Sequence, residues 1–495
     1  MKHLYLAKEA KEIDQHAIRT IGIPSLVLME KAAMTVAAVL MARHTDQTRF
    51  LCVCGTGNNG GDGVAVARIL HEHGYKAAVT VIGQTDHMTQ EMKSQMSIAL
   101  NCEVPFLSSD AVSNGEFDVL IDGLFGIGLS RPIEGVYKKI IQDMNESGAL
   151  LYSLDVPSGI HAGSGQVLGE TAVRAVCTIT FGVNKAGLIL VPGCEYAGEV
   201  IVGDIGFPKG SVDSVNSRIY HYENEDFRKW MPKRPFHSHK GTYGKVLVIA
   251  GSETMAGAAC LAAKAAYTAG AGLVKVLSTI NNRDILLGYV PEILFGVRED
   301  IKEASKWADV IVVGPGLGLD DKAQELVQYV IEQTKVPVVI DGDGITLCKR
   351  VAQKLSNRFV LTPHKKEMSV LTGYSVNELQ ERILDLTRET AREWDCVIAQ
   401  KDTRTVVSDG RECYVNVSGN QGMATGGSGD VLAGILGGVM AQKMSPFEAA
   451  KFAVYWHGLS GDWAAKEKGP HGLLASDLIE SMSKVAVMMQ REETK

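Results

Sequence analysis

Asn58, Asn59 and Asp62 stand inside a glycine-rich turn, GTGNNGGDG at residues 55–63, and Asp430 closes a second one, ATGGSGD at residues 424–430. Each turn is wedged between an apolar strand-like run and an apolar helical one. Glycine lets the backbone approach an anion closely, and a helix beginning there offers unpaired N–H groups and the positive end of its dipole. Both turns therefore read as cradles for phosphate. They lie in opposite halves of the chain among different neighbours, so two sites for phosphate-bearing small molecules, and two tasks, are expected.

In the first turn Gly55, Gly57 and Gly60 fit G-x-G-x-x-G, the spacing of a dinucleotide-binding loop. The acidic residue that should end the next strand is missing, because AAVTVIGQ finishes in glycine and glutamine. Asn58, Asn59 and Asp62 instead add polar side chains that a plain dinucleotide turn does not require. Two later runs end in polar groups as well: Asp122 in IDGLFGIGL, and Asp155 with Ser158 in LDVPSGI. In an open parallel sheet the carboxyl ends of strands converge on one crevice, so Asn59, Asp122, Asp155 and Ser158 are expected to meet there. Oxygen ligands of this kind suit a hard cation, which an anionic ligand beside two carboxylates would need. The plainer role for either aspartate is to cap the helix that follows.

The second turn has no lysine of the G-x-x-x-x-G-K-[ST] kind, and none occurs elsewhere, so it must hold phosphate by backbone N–H groups and helix dipole. The dipole contributes about 0.3–1 kcal/mol per exposed charge and up to about 2 when partly buried. It also lowers the basicity of Asp430, whose plainer role is a helix-capping acid. His364 and Lys401 read without further information as a strand-end histidine and a hairpin lysine. DGDG at 341–344 lacks the remaining positions of a calcium loop, and GGVM at 437–440 reads as helix packing.

What must position these residues is legible in the rhythm of the chain. Its 495 residues exceed one core, and a prior of about 150 residues per domain allows two to four units, of which two large ones fit best. From FLCVC near residue 50 onward, apolar strand-like runs alternate with helical ones as far as GEVIVGDIGFP. Residues from about 209 to 240, with MPKRPFHSHKG, change character and read as a linker. A second alternation begins at KVLVIAGS, includes the hairpin-like pair CVIAQKDTRTVVSDG and ECYVNV, and ends in helices. The fold class is therefore α/β with two parallel-sheet domains.

Apolar residues make up 45% and charged residues 22%, an ordinary globular balance, and the net charge of −7 leaves no basic field for nucleic acid. No run of eighteen apolar residues and no secretory leader is evident, so a cytoplasmic protein without a membrane partner is expected. The nine cysteines follow no zinc or disulfide spacing and read as reduced thiols.

The blocks PSLVLMEKA, GTGNNGGDGVAVAR, IDGLFGIGLSRPI, LDVPSGI and FGVNKAG resemble, in order, the signature of the epimerase domain of the NAD(P)H-hydrate repair enzymes. HKGTYGKVLVIAGS, VGPGLG, VVIDGDG, LTPHKKEM, KDTRTVV and NQGMATGGSGDVLAGIL resemble the nucleotide-dependent NAD(P)H-hydrate dehydratases, relatives of ribokinase. The resemblance implies a Rossmann-like three-layer epimerase domain at 1–212, a linker at 213–236 and a ribokinase-like dehydratase domain at 237–495.

It also implies site residues. Asn58, Asn59, Gly60, Gly61, Asp62, Gly126, Ile127, Gly128, Leu129, Ser130, Arg131, Pro132, Tyr137 and Asp155 would contact the hydrate in the epimerase, with potassium held by Asn59, Asp122 and Ser158. In the dehydratase, Lys401, Asp402, Thr403, Arg404 and Thr405 would contact the nucleotide. So would Asn420, Gln421, Gly422, Met423, Ala424, Thr425, Gly426, Gly427, Ser428 and Gly429. The hydrate would meet Ala256, Gly318, His364 and Asp430 there.

The chemistry follows from the implied substrate. Protonating the hydroxyl next to the ring nitrogen lets the nitrogen lone pair expel water, and water re-adding from the other face inverts the centre; Asp155 is the expected proton carrier, with Asp122 restrained on the metal. In the rear domain Asp430 would take the hydroxyl proton, the terminal phosphoryl would transfer to that oxygen, and phosphate would leave as the double bond re-forms, with magnesium between the nucleotide phosphates. ADP is expected rather than ATP because the fused arrangement resembles the bacterial members. Expected partners are hydrated NADH or NADPH, ADP and further copies of the chain in a homo-oligomer. Two rival readings are a vitamin or sugar kinase with a regulatory nucleotide-binding front domain, and a front domain that only binds.

Overall fold

Strand Arg49–Cys54 is buried at every residue after its first, with Phe50, Cys52 and Cys54 packed on one face of the sheet and Leu51 and Val53 on the other. A strand apolar on both sides belongs in the middle of a parallel sheet covered by helices. In this computed structural model, which describes residues 1–352 and 354–491, it does. The chain divides into two units: one is His3–Ser217, the other begins at Arg218 and takes in Met1 and Lys2.

The first unit has one seven-stranded sheet. Its order is Phe106–Leu107, Lys76–Val81, Arg49–Cys54, Val119–Gly123, Leu150–Leu154, Cys177–Phe181 and Glu199–Gly203, and every neighbouring pair is parallel. Helices Ser25–Arg43, Asn58–Glu72 and Gln90–Asn101 cover one face; Gly135–Glu146 packs Ile140, Ile141 and Met144 on the other. The result is the expected three-layer, Rossmann-like domain. Helix Ser25–Arg43 is apolar and long enough to cross a membrane by those two criteria alone. Here its buried residues, from Leu28 to Leu40, face the core of this unit.

The tight turn after the first central strand depends on Gly60. A Cβ there would lie 1.9 Å from the Gly55 carbonyl oxygen, so Gly60→Ala must open the turn. We expect it to destabilise this unit by about 1–3 kcal/mol. Urea unfolding of the full chain reads this as a lower midpoint for one transition; an unchanged midpoint would contradict so close an approach.

In the second unit the sheet runs Ile219–His221, Cys413–Val415, Val406–Ser408, Val397–Gln400, Phe359–Leu361, Val338–Ile340, Val310–Val313, Lys245–Ile249, Leu273–Ser278 and Leu294–Val297. The hairpin strands 397–400, 406–408 and 413–415 pair antiparallel, as the sequence suggests, and the rest are parallel. One face carries helices Ala256–Thr268, Ser428–Ala441, Pro446–Lys468 and Ala475–Arg491. The other carries Asp321–Gln333, Asp343–Val351 and Ile383–Trp394 among others. Gly434 lets helix Ser428–Ala441 lie directly on the alanine-rich helix, since a Cβ would meet the Ala262 carbonyl oxygen at 2.2 Å.

Residues 213–236 are not a plain connector. Ile219–His221 pairs with Cys413–Val415, and helix Asn224–Trp230 places Phe227, fully buried, in a stack on Phe452 with centroids 4.7 Å apart. An aromatic committed to the core makes this segment, from Arg218 onward, part of the second unit, a role its prolines and charges mask in the sequence. All nine cysteines are free thiols, seven of them buried.

Candidate active sites

At the end of strand Arg49–Cys54, Gly57 adopts an extended conformation and helix Asn58–Glu72 begins, with Gly60, Gly61 and Asp62 buried in its first turns. The turn borders a cavity of about 750 Å³. Asn58, Asn59, Asp62, Asp155, Gly126, Ile127, Gly128, Leu129, Ser130 and Arg131 line it, so most of the expected epimerase residues come together. Gly60, Gly61, Pro132 and Tyr137 are not among its lining residues. Gly60 and Gly61 shape the turn against Gly55 and Met29. The Tyr137 hydroxyl donates to the Ile82 carbonyl at 3.2 Å, and its ring packs on Phe125.

Asp122 is fully buried at the end of strand Val119–Gly123. It accepts from the Ser158 hydroxyl at 2.6 Å, the Ser158 backbone N–H at 2.8 Å, the Ser153 hydroxyl at 2.9 Å and the Leu124 N–H at 3.2 Å. Burial raises its pKa, and these donors partly offset that. No cationic side chain pairs with it among the described residues.

Asp155 has a φ of +65°, a left-handed conformation that costs a non-glycine residue on the order of 1–3 kcal/mol and marks functional positions. Its Oδ1 accepts from Lys185 Nζ at 2.6 Å and from the Phe181 N–H at 3.2 Å. Lys185 is 2% exposed and also donates to the Phe181 carbonyl at 2.7 Å. Two further carboxyls look into the cavity: Asp14, from helix Ala7–Gln15, and Asp62. Burial first, and the neighbouring carboxylates second, push both above the usual carboxylate range, Asp62 far above it. Sequence reasoning missed Asp14 and Lys185, although Lys185 sits inside the quoted block FGVNKAG.

In the second unit Gly427, at a φ of +90°, starts helix Ser428–Ala441 and sets Asp430 in its first turn. Burial, with Asp341 adding to it, raises the Asp430 pKa to about 7, while Lys401 opposes the rise. Lys401 Nζ donates to Asp341 Oδ1 at 2.7 Å and lies 4.0 Å from Glu367. Asp341 also accepts from the Thr362 hydroxyl at 2.6 Å. Glu367 is likewise pushed up to about 7 by burial. Asp343 accepts from the Gly318 N–H at 2.9 Å, which ties the Gly318 loop to this cluster.

His364 is the N-cap of helix Lys365–Thr372. Its Nδ1 accepts from the backbone N–H groups of Lys366 and Glu367, both at 3.1 Å, and its own N–H donates to Glu367. Capping thus fixes the ring beside Lys401, with which it shares a backbone bridge. Asp402 pairs with Lys365 at 3.0 Å, and Arg404 donates to the Val417 carbonyl at 2.7 Å. Asn420 donates to Asp462 at 3.0 Å. The Ser428 hydroxyl lies 3.3 Å from Nε2 of His457, whose burial lowers its pKa to about 4. Ala256 opens the alanine-rich helix. Asp341, Glu367 and His457 were missed; Asp341 ends an apolar strand just as Asp122 does, and that was the available signal.

Two parallel α/β units, each with a glycine-rich turn and buried carboxyls at the carboxyl edge of its sheet, define an enzyme with two small-molecule sites. Residues 25–187 match the family described as YjeF-related protein N-terminus, and residues 246–484 match NAD(P)H-hydrate dehydratase. The chain is 38% identical, over 98% of its length and 96% of the relative's, to the bifunctional NAD(P)H-hydrate repair enzyme Nnr of Thermofilum pendens. It is 37% identical to that of Coxiella burnetii over 97% and 98%. Among solved structures, the ADP/ATP-dependent NAD(P)H-hydrate dehydratase of Bacillus subtilis, co-crystallised with ATP and magnesium, aligns with a TM-score of 0.52 and 31% identity, covering 55% of this chain and all of that one. The chain belongs to the bifunctional NAD(P)H-hydrate repair enzymes. It is accordingly an NAD(P)H-hydrate epimerase and an NAD(P)H-hydrate dehydratase in one polypeptide.

Proposed function

We propose that the cavity of the first unit interconverts the R and S hydrates and that Asp430 drives ADP-dependent dehydration of the S form in the second. In the epimerase, Asp155 exchanges protons with the hydroxyl on the ring carbon next to nitrogen, and Lys185 holds its Oδ1 so that Oδ2 is left to the substrate. Asn58, Asn59 and the 126–131 loop bind the rest of the hydrate. Asn59, Asp122 and Ser158 fit a potassium ion: each offers an oxygen, and among the described residues no cationic side chain pairs with the buried Asp122 carboxylate. Bound there, potassium would supply fixed positive charge for the substrate's phosphates.

In the dehydratase, the backbone N–H groups of the 424–429 turn and the start of helix Ser428–Ala441 cradle the nucleotide phosphates. Lys401 adds positive charge beside them. Asp430 removes the hydroxyl proton as that oxygen takes the terminal phosphoryl; phosphate then leaves as the nitrogen lone pair forms C=N, and loss of a ring proton restores the reduced nicotinamide. Magnesium would be carried on the nucleotide phosphates. That ion would neutralise charge developing on the phosphates. Free thiols throughout fit a reducing, cytoplasmic setting.

The observation that carries the dehydratase reading is Asp430 in the first turn of the helix that the glycine turn starts, beside the Asp341–Lys401 pair, where burial and Asp341 raise its pKa to about 7. A base works only when ionised, so kcat/KM should rise with pH through a midpoint near 7. Lys401 lowers that pKa, hence Lys401→Met should move the midpoint upward. Glu367→Gln should leave the rising limb in place, which separates Asp430 from the other carboxyl with a similar pKa. A midpoint near 4 in the unaltered chain would contradict the assignment. A kinase would instead leave a stable phosphorylated product and no free phosphate.

A further inference from the structure

The cavity of the first unit is lined by three carboxyls, Asp14, Asp62 and Asp155, with Lys185 the buried cation and Lys11 and Arg131 exposed. Asp155 enters at the carboxyl end of strand Leu150–Leu154, and its Oδ1 is fully engaged by Lys185, the Phe181 N–H and the Thr180 hydroxyl. Asp14 enters from a different element, helix Ala7–Gln15, which anchors in the core through Ala10 and Ile13. The Asp14 carboxyl is half-buried and makes no hydrogen bond among the described residues, either to Asp155 or to any other group. A carboxyl at a cavity wall with no protein partner is free to meet what the cavity holds.

Epimerisation is served better by two proton carriers than by Asp155 alone. Water departs from one face of the ring and returns to the other, so protons must be handled on both faces. We propose that Asp14 is a second catalytic residue of the epimerase, transferring a proton on the face of the ring opposite Asp155. This rests on the assignment of Asp155 above. In one direction the Asp14 carboxyl proton passes to the departing hydroxyl, the C–O bond breaks, and the nitrogen lone pair forms C=N as water leaves. A water on the other face then forms the new C–O bond, the C=N pair returns to nitrogen, and the released proton goes to Asp155. The opposite epimer runs the same steps backward and restores both protonation states. Burial and the facing Asp155 keep Asp14 above its ordinary pKa against the opposing pull of Lys185, while Asp62 adds a third acidic neighbour.

The test uses the full chain, each purified epimer in turn and no nucleotide, in water enriched with oxygen-18. Inversion and isotope uptake are measured together above the uncatalysed rates. For the unaltered chain each inversion brings in one labelled oxygen. In Asp14→Asn, inversion should fall by about 10²-fold or more. Exchange with retention, served from the Asp155 face, should persist for the epimer whose hydroxyl lies on that face, so that its uptake outruns inversion, while for the other epimer both fall. Asp14→Glu, which keeps the carboxyl, should recover part of the inversion. Unchanged inversion in Asp14→Asn, a parallel fall of inversion and exchange for both epimers, or no recovery in Asp14→Glu would overturn the proposal. Asp155→Asn run beside them separates the two assignments: full inversion there refutes the role of Asp155, whatever Asp14 does.

Discussion

Asp430→Asn should lower the turnover of the dehydratase by about 10³-fold while leaving epimerase turnover unchanged. Asparagine keeps the shape of the side chain, but it cannot take a proton. The position favours a base: the carboxyl is half-buried in the first turn of helix Ser428–Ala441, and burial together with Asp341 and Asp343 raises its pKa to about 7 against the pull of Lys401. The loss should appear in kcat far more than in KM, because the abstraction belongs to the transition state. The assay is recovery of reduced-nicotinamide absorbance from the S hydrate with ADP. Full turnover in this variant would reduce Asp430 to a cap.

Asp155→Asn should have the second large effect, a loss of about 10²- to 10⁴-fold in epimerisation. Asparagine tolerates the left-handed conformation that Asp155 adopts at a φ of +65°, and its oxygen can still accept from Lys185, so the fold should survive. The rear unit keeps its own residues. Supplied with both epimers and ADP, this variant should recover the S share quickly and leave the R share behind. Thermal unfolding close to that of the unaltered chain, with R left over, is the expected pair of results; complete and rapid recovery would contradict the role of Asp155.

The sequence carried both glycine turns, the alternation of strand and helix, and the aspartates that end strands. These are local signals, set by a few adjacent residues and by the period of two or 3.6 that decides which side chains face the core. Asn59, Asp122, Asp155 and Ser158 could be placed near one another because strand ends in a parallel sheet share an edge. The ion pair of Asp155 with Lys185 spans 30 residues and that of Lys401 with Asp341 spans 60, and no local pattern announces either. Asp14 stands on an amphipathic helix like many surface acids, and only the packing of that helix beside the cavity turns it inward. Tyr137 stands away from the cavity lining, its hydroxyl donating to the Ile82 carbonyl, a contact 55 residues apart that no local pattern announces. Residues 213–236 look like a linker because proline and charge outweigh one decisive aromatic, Phe227.

The division of labour between the two units is tested most directly by mixing the two disabled chains. Asp155→Asn alone should stop at the S share of a hydrate mixture supplied with ADP, and Asp430→Asn alone should restore almost none of it. An equimolar mixture of the two should recover all of the reduced cofactor, since free R hydrate inverted by one chain is dehydrated by the other. Recovery by the mixture that stops at the S share, as with Asp155→Asn alone, would contradict the account.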